Sequence, residues 1–229
     1  MAWYLSVQAF LYAIFPPLLL VLKKANARRL RCIAAVIFCA QCLASFVFWK
    51  VGLSGKAAFY LTYLCPLFRA GDFTISCCMG CLYHSRKQES GLPGGAFSLL
   101  EFAAVLLAGG CLFIAATQMG VLGAVAFRYN VLFTPSAVLL VWLLAVGKGV
   151  ISRLLSAKPF LWLAGLSPYG FLIHQVLIRY MELAANKLGL TAHPVVWTLT
   201  VFLLTLCLSS FYKALERRGR GGHGKAAAR

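Results

Sequence analysis

The sequence predicts an all-α protein that crosses a membrane several times. Of its 229 residues, 62% are hydrophobic and only 12% are charged, and the mean hydropathy is +0.84. These values are not typical of a water-soluble domain. Apolar runs recur along the chain, and short basic segments separate them. We therefore predict a polytopic bundle of about seven transmembrane segments. We expect no nucleic-acid partner despite the net charge of +17.

The seven predicted segments are the apolar runs that are long enough, or nearly so, to cross a hydrocarbon core, which takes about 20 helical residues. They lie near Trp3 to Leu22, Cys32 to Trp49, Pro66 to Tyr83, Ala96 to Gln118, Val131 to Val146, Pro168 to Ala184 and Val195 to Tyr212. Residues 1–214 form the predicted transmembrane domain. Residues 215–229 are basic and rich in glycine, so we expect a disordered cytosolic tail there.

The basic residues between these segments alternate in number along the chain. Sixteen lysines and arginines fall in one set of connections and the tail, whereas the alternate connections hold only Lys50, Lys56, Arg128 and Lys187. Cytoplasmic loops carry the excess of basic residues in membrane proteins. The pattern predicts an inner or plasma membrane protein with a cytosolic C-terminus and an N-terminus outside. No signal peptide is visible, so we expect either that the chain is truncated at its front or that it is an unusual protein with an outside N-terminus.

Most of the nine cysteines lie within apolar runs, where cysteine behaves as a small hydrophobic residue. We expect them to be reduced. Cys77, Cys81 and His84 share one helical face, but a single histidine in a membrane helix is a weak basis for a metal site. We predict no bound metal or cofactor.

The stretch from Lys158 to Met181 contains the most distinctive ionisable group, His174. Ser167 is placed as a helix cap and Pro168 as the first helical residue. Apolar neighbours surround His174 in the sequence. An interhelical hydrogen bond from a packed histidine and a direct chemical role are both open at this point.

Two further pairs of ionisable residues have the spacing that allows contact on one helix face. Arg69 and Asp72 are three residues apart, as are Arg179 and Glu182. Charged groups inside a membrane cost about 2.5 to 3.5 kcal/mol each on insertion scales, so they usually face a partner or a cavity. A local ion pair is the simple interpretation of Arg69 and Asp72. The functional one is an arginine held by Asp72 that binds an anionic or carbonyl-bearing substrate.

Four stretches resemble sequence blocks of a known family. WYLSVQAFLYAIFPPLLL is similar to its "WSLSVE.QFY...P" block, and PLFRAGDF to its "R..EF..G" block. LLSAKPFLWLAGLSPYGFLIHQ is similar to "L..KPL..LG.ISY..YL.H", and FYKALERR to the terminal "Y..IE.P". The chain thus resembles the C-terminal portion of the acyltransferase 3 family, the integral-membrane O-acyltransferases that modify envelope polysaccharides and other sugars.

The resemblance implies transfer of an acyl group, most often acetyl, from acyl-CoA to a carbohydrate hydroxyl at the cell envelope. It implies substrate-binding roles for Arg69, Asp72 and Tyr169. Ser6, Gln8, Arg179 and Glu182 are added as polar groups near the predicted outer side. Gln8 and Asp72 both stand where the family has glutamate.

The family's catalytic histidine lies upstream of the first block, where this chain has no counterpart. His174 is then the candidate catalytic base, since it is the one histidine placed within a membrane helix. Otherwise a partner or an upstream segment supplies the missing helices. Two rival functions stay open: a catalytically silent membrane protein that binds or assembles with a partner, and a small transporter of a glycan precursor.

Overall fold

The computed structural model describes residues 2–53, 55–85, 93–188 and 194–226, with side chains at 4–53, 55–85, 93–187 and 195–216. Within these ranges the chain is helical and contains no β-strand, as predicted. It divides into two compact units, residues 1–154 and 155–229. Each unit is described by itself below.

Unit 1 contains eight α-helices and one turn of π-helix in the described ranges. They are α1 (Ala2–Lys23), α2 (Ala27–Lys50), α3 (Gly55–Phe59), the π-helical turn Tyr60–Leu64, α4 (Pro66–Ser85), α5 (Gly94–Thr117), α6 (Val125–Arg128), α7 (Thr134–Val146) and α8 (Val150–Leu155). Helix α1 continues through Pro16 and Pro17. Asn26 caps α2 by accepting a hydrogen bond from the backbone nitrogen of Arg29.

Unit 2 contains α9 (Lys158–Ala164), α10 (Ser167–Leu188) and α11 (Pro194–Ala226). Helix α10 begins at Ser167, where the sequence predicts a helix start, and α9 meets it at an angle of 56°. Helix α11 continues into the segment predicted as a tail, and that segment's side chains beyond Glu216 lie outside the described residues.

Four described helices are long and apolar enough to cross a membrane, namely α1, α2, α5 and α11. The bent pair α9 and α10 makes five if it acts as one span. The predicted number of about seven is not confirmed. Helix α4 has the length of a span, but it carries Arg69, Asp72 and His84 and is not among the candidates. Helix α7 has 13 residues, or about 20 Å at 1.5 Å per residue, which is short of a hydrocarbon core of about 30 Å.

Helix α4 lies at the centre of the packing that positions the site. Its Cys78 and Leu82 are buried against Leu22 of α1 and Leu30 of α2. The Tyr83 hydroxyl donates to the carbonyl of Ala145 in α7 at 2.7 Å. Gly71 lets α2 and α4 approach closely, because a Cβ there would lie 2.6 Å from Gln41 Nε2. Side chains from α2, α4 and α7 therefore meet at one place.

Candidate functional site

The predicted ion pair between Arg69 and Asp72 is present in the first turns of α4. Arg69 Nη1 lies 3.1 Å from Asp72 Oδ2, and the two side chains are 23% and 24% exposed. The Nε of Arg69 donates to the carbonyl of Tyr63 at 2.9 Å, and its guanidinium lies 4.6 Å from the centre of the Tyr63 ring. Three contacts fix the orientation of one arginine, which removes most of the freedom that its long side chain would have.

Asp72 accepts hydrogen bonds from residues far away in the sequence. Gln41 Nε2 donates to Asp72 Oδ1 at 3.2 Å and to the Phe68 carbonyl at 2.9 Å. Thr134 Oγ1 donates to the same Oδ1 at 3.3 Å. The amide of Asn130, which is 2% exposed, is oriented with its nitrogen towards the carboxylate, 2.7 Å from Oδ1. Four donors surround the Asp72 carboxylate and one of them is the Arg69 guanidinium, so Asp72 fixes the position of Arg69.

The network lies within the length of α2 and not at its end. Gln41 precedes the last residue of α2, Lys50, by nine positions, which is about 14 Å at 1.5 Å per residue. The whole helix is about 36 Å long. The charged pair therefore lies beside the interior of α2 and not beside either of its ends.

A cavity of about 360 Å³ opens beside this network. One part of its wall is polar and consists of Arg69, Asp72, Tyr129, Asn130 and Thr134. The other part is apolar and comes from α4 and α7, with Met79, Phe133, Val138, Val141 and Trp142 among its residues. The cavity therefore suits a molecule with a polar group at one end and a hydrocarbon group at the other.

Arg69 keeps hydrogen-bonding capacity towards a ligand in this cavity. Its Nη2 makes no hydrogen bond to any residue within the described ranges. A guanidinium donates in its own plane and binds carboxylate, phosphate or carbonyl oxygens. Because Asp72 and Tyr63 already hold the other nitrogens, a ligand would meet a donor that is oriented before binding.

Ser6 and Gln8 lie on α1, and neither forms part of the cavity wall. Neither of them hydrogen-bonds Arg69 or Asp72, whose partners are the residues given above. Helix α1 packs on α4 through other residues, among them Phe15 and Phe73, whose ring centres are 5.9 Å apart. The predicted role of Ser6 and Gln8 in substrate binding stays a prediction.

In unit 2, the candidate base His174 lies in a groove between α10 and α11. Its Nδ1 is 3.1 Å from the carbonyl of Gly170, which favours the tautomer with hydrogen on Nδ1. Its Nε2 can then accept a proton, although the Gln175 amide nitrogen lies 3.4 Å away. The groove also contains Ser209, whose hydroxyl is buried and has no partner among the described residues.

The other predicted residues of unit 2 make contacts outside that groove. The Tyr169 hydroxyl donates to Glu216 Oε2 and joins the start of α10 to α11. Arg179 and Glu182 form the predicted ion pair at 3.3 Å, but their side chains are 79% and 47% exposed. Within the described ranges, no group of three histidine, cysteine or acidic side chains could hold a metal ion. All nine cysteines are free thiols.

A further carboxylate, which sequence reasoning missed, lies in the apolar helix α5. Glu101 is fully buried, and its Oε2 accepts from the backbone nitrogens of Ile151 at 2.8 Å and Ser152 at 3.3 Å. It therefore satisfies the first amide groups of α8, which have no partner within their own helix. Gly149 leaves it room, because a Cβ there would lie 2.1 Å from the carboxylate. Glu101 has a structural position away from the cavity.

The sequence analysis also missed Gln41, Tyr63, Tyr129, Asn130 and Thr134. Only Gln41 carries a usable signal, because it is the one amide side chain inside the apolar run of α2. The other four lie at or next to helix ends, where polar and aromatic residues are common. Nothing in their spacing connects them to Arg69.

These observations define a class: a helical membrane protein with several candidate spans and a charged network enclosed within one of its units. Comparisons with protein families, with curated proteins and with solved structures found no match to this chain.

Proposed function

We propose that this chain is a membrane acyltransferase-like protein that transfers an acyl group, in the simplest case acetyl, from acyl-CoA to a hydroxyl of a cell-envelope carbohydrate. The observation that supports this most is the two-sided cavity beside Arg69 and Asp72. Its polar wall can hold hydroxyl and carbonyl oxygens, and its apolar wall can hold a hydrocarbon group. The sequence resemblance to acyltransferase 3 supports the same reaction independently.

In the proposed reaction, the hydroxyl oxygen of the carbohydrate attacks the thioester carbonyl of acyl-CoA. A new ester bond forms, the carbon–sulfur bond breaks, and coenzyme A leaves with the sulfur. The carbonyl oxygen carries negative charge in the transition state, and the pre-oriented Nη2 of Arg69 is a suitable donor for it. Asp72 and Tyr63 are positioning residues in this proposal, since they act through Arg69.

The alcohol proton needs an acceptor. Asp72 is a poor candidate, because four donors already surround its carboxylate. His174, within unit 2, is kept as the proposed base, and the hydrogen bond from Nδ1 to Gly170 leaves Nε2 as the proton-accepting atom; Arg69 belongs to unit 1, and a common site of the two residues is not part of the proposal. Tyr169, Ser6 and Gln8 are kept as proposed substrate contacts, whereas Arg179 and Glu182 form an exposed pair whose predicted substrate contact is not part of the proposed mechanism.

The proposed orientation in an inner or plasma membrane places the C-terminus in the cytosol and the N-terminus outside. Its support is the unequal number of basic residues in alternate connections. Reporter fusions after residue 212 and after residue 53 test it. A cytosolic signal from the second fusion and an outside signal from the first would reverse the orientation.

The enzymatic proposal is tested with the purified protein in lipid nanodiscs, supplied with acetyl-CoA and envelope glycans. Mass spectrometry of the glycan detects acetylation, and release of coenzyme A is followed in parallel. We expect acetylation that Arg69→Gln lowers at least about a hundredfold, the size of effect seen on loss of one transition-state donor. Arg179→Gln removes the same charge from an exposed pair and serves as the matched control.

Three results would overturn the proposal. Acetylation that is unchanged in Arg69→Gln would exclude the assigned role of the cavity. Glycan uptake into proteoliposomes without any acetylation would indicate the transporter, and neither uptake nor acetylation would indicate a silent binding protein. Repeating the assay after adding a separately encoded upstream helix distinguishes an incomplete enzyme from a silent one.

A further inference from the structure

A second arginine stands close to the first and is connected to it through aromatic rings. Arg128, at the end of α6, lies with its guanidinium 4.8 Å from the centre of the Tyr129 ring. The Tyr129 ring lies 5.4 Å from the Tyr63 ring, on which Arg69 is stacked at 4.6 Å. Phe59 contacts both tyrosine rings at 5.0 Å. We call this set the arginine–tyrosine cluster: Phe59, Tyr63, Arg69, Arg128 and Tyr129.

The charges in this cluster do not balance. Asp72 pairs with Arg69, but Arg128 has no carboxylate partner among the side chains that the structure describes. The Nε of Arg128 is buried and has no hydrogen-bond partner there either. A half-buried cation without a counter-ion is unfavourable unless an anion is supplied, and nearby aromatic surface makes the electrostatic attraction to that anion stronger than in water.

Two residues with available donors, Arg69 and Tyr129, form part of the cavity wall. Arg128 Nη2 donates to the Tyr129 hydroxyl at 2.9 Å, so the hydroxyl proton of Tyr129 is left to donate elsewhere. Tyr129 and Arg69 both form part of the cavity wall. Their free donors, one hydroxyl and one guanidinium edge, can bind different oxygens of one anionic group.

We infer that the polar end of the cavity binds the phosphate group of an amphiphilic ligand, with the excess charge of Arg128 selecting the anion. Two guanidinium groups against one carboxylate suit a phosphate, which carries more charge and more acceptor oxygens than a carboxylate. The apolar wall with Val138, Val141 and Trp142 receives the attached hydrocarbon chain. Basic pockets between membrane helices bind lipid phosphates by the same chemistry. The inference rests on the proposed function only in using the same cavity.

The test uses quenching of tryptophan fluorescence by brominated lipid, because Trp142 lies in the cavity wall. The whole protein is placed in phosphatidylcholine nanodiscs that contain a small fraction of brominated phosphatidic acid or, separately, brominated phosphatidylcholine. We expect stronger quenching by the phosphatidic acid, and we expect Trp142→Phe to remove the difference. No acyl-CoA is present, so this result does not depend on the acyltransferase activity.

Arg128→Gln is expected to lower the preference for phosphatidic acid about tenfold, as for loss of one charge-assisted contact. Tyr129→Phe keeps the ring and loses the hydroxyl, and we expect a smaller reduction. Lys50→Gln is the matched control, since Lys50 stacks over Trp49 and Phe46 at the end of α2, outside the cluster. An unchanged preference in Arg128→Gln, with a normal gel-filtration profile, would overturn the inference.

Two additions identify the source of the phosphate. Competition by millimolar inorganic phosphate supports recognition of the phosphate group itself and favours a water-soluble ligand. Failure of inorganic phosphate to compete, with the lipid preference intact, supports a membrane lipid. Brominated fatty acid that quenches as well as phosphatidic acid would show a carboxylate site and contradict the proposed ligand class.

Discussion

Among the residues that the structure describes, two arginine–carboxylate pairs have the same spacing of three residues but opposite surroundings. Arg69 and Asp72 are about three-quarters buried and are held by Tyr63, Gln41 and contacts from α7, whereas Arg179 and Glu182 are largely exposed and contact mainly each other. An exposed ion pair contributes between zero and about 1 kcal/mol. The same local sequence pattern therefore produces one structural and functional centre and one surface pair, and the difference comes from the packing around them.

Among the substitutions that test this difference between the two pairs, Asp72→Ala is expected to have the largest effect. The substitution removes the counter-ion of Arg69, which is about three-quarters buried. It also leaves the amides of Gln41 and Asn130 without their acceptor. We expect the free energy of unfolding to fall by up to about 3 kcal/mol. Thermal unfolding of the detergent-solubilised protein measures it. A loss no greater than that of Glu182→Ala would show that burial does not distinguish the two pairs.

Glu101→Ala tests whether loss of a buried carboxylate lowers stability without changing ligand binding. The two amide groups at the start of α8 lose their acceptor, and we expect a destabilisation of about 2 kcal/mol. The preference for phosphatidic acid should stay that of the unsubstituted protein, because Glu101 is not part of the cavity wall. Thermal unfolding and the quenching assay are run on the same sample. Loss of lipid preference in the folded variant would be contrary to this assignment.

Gly71→Ala tests whether the close contact between α2 and α4 is needed to hold Gln41 against Asp72. A Cβ at this position would meet Gln41 Nε2 at 2.6 Å and Ile37 at 3.3 Å, so Gln41 has to move away from the carboxylate. We expect a loss of about 1 kcal/mol in stability together with weaker ligand binding. Gly110→Ala, also within a helix but with open space around it, is the control and should be neutral or slightly stabilising. Equal behaviour of the two variants would mean that the α2–α4 contact is not tight.

Arg179→Gln is expected to have the smallest effect. Its pair is exposed, and substitutions at such positions usually change stability by less than about 0.5 kcal/mol. Unfolding temperature and acetylation should both match those of the unsubstituted protein within error. A clear loss of acetylation with an unchanged unfolding temperature would identify Arg179 as a substrate contact. Both pairs would then contribute to the activity.

The helical class, most of the long apolar helices and both ion pairs can be predicted from the sequence, because they depend on local periodicity. It is insufficient for the network around Asp72. Gln41 lies 31 positions away from Asp72 and Thr134 lies 62 positions away, so only tertiary packing brings them together. The number of about seven spans stays unconfirmed for a related reason: apolar composition alone does not show that α7 ends after 13 residues.

The role of Glu101 was also hidden from sequence reasoning. A glutamate near the start of an apolar run is compatible with an interfacial residue, and its spacing gives no partner on its own helix. The donors to its carboxylate are the backbone amides of Ile151 and Ser152 at the start of α8. Contacts between a side chain and a distant backbone leave no pattern in the chain itself, so a structure is needed to find them.

The short α7 has a consequence for the lipid around it. A helix that reaches about 10 Å less than the hydrocarbon thickness obliges neighbouring acyl chains to compress or lets headgroups sink towards it. Because α7 supplies one wall of the cavity, such local thinning would bring water and polar headgroups closer to Thr134 and Arg69. An amphiphile could then enter sideways from one leaflet with its charged end still hydrated. In a bilayer, a helix of this length would leave the cavity open towards one leaflet, whereas a full-length span would close it off.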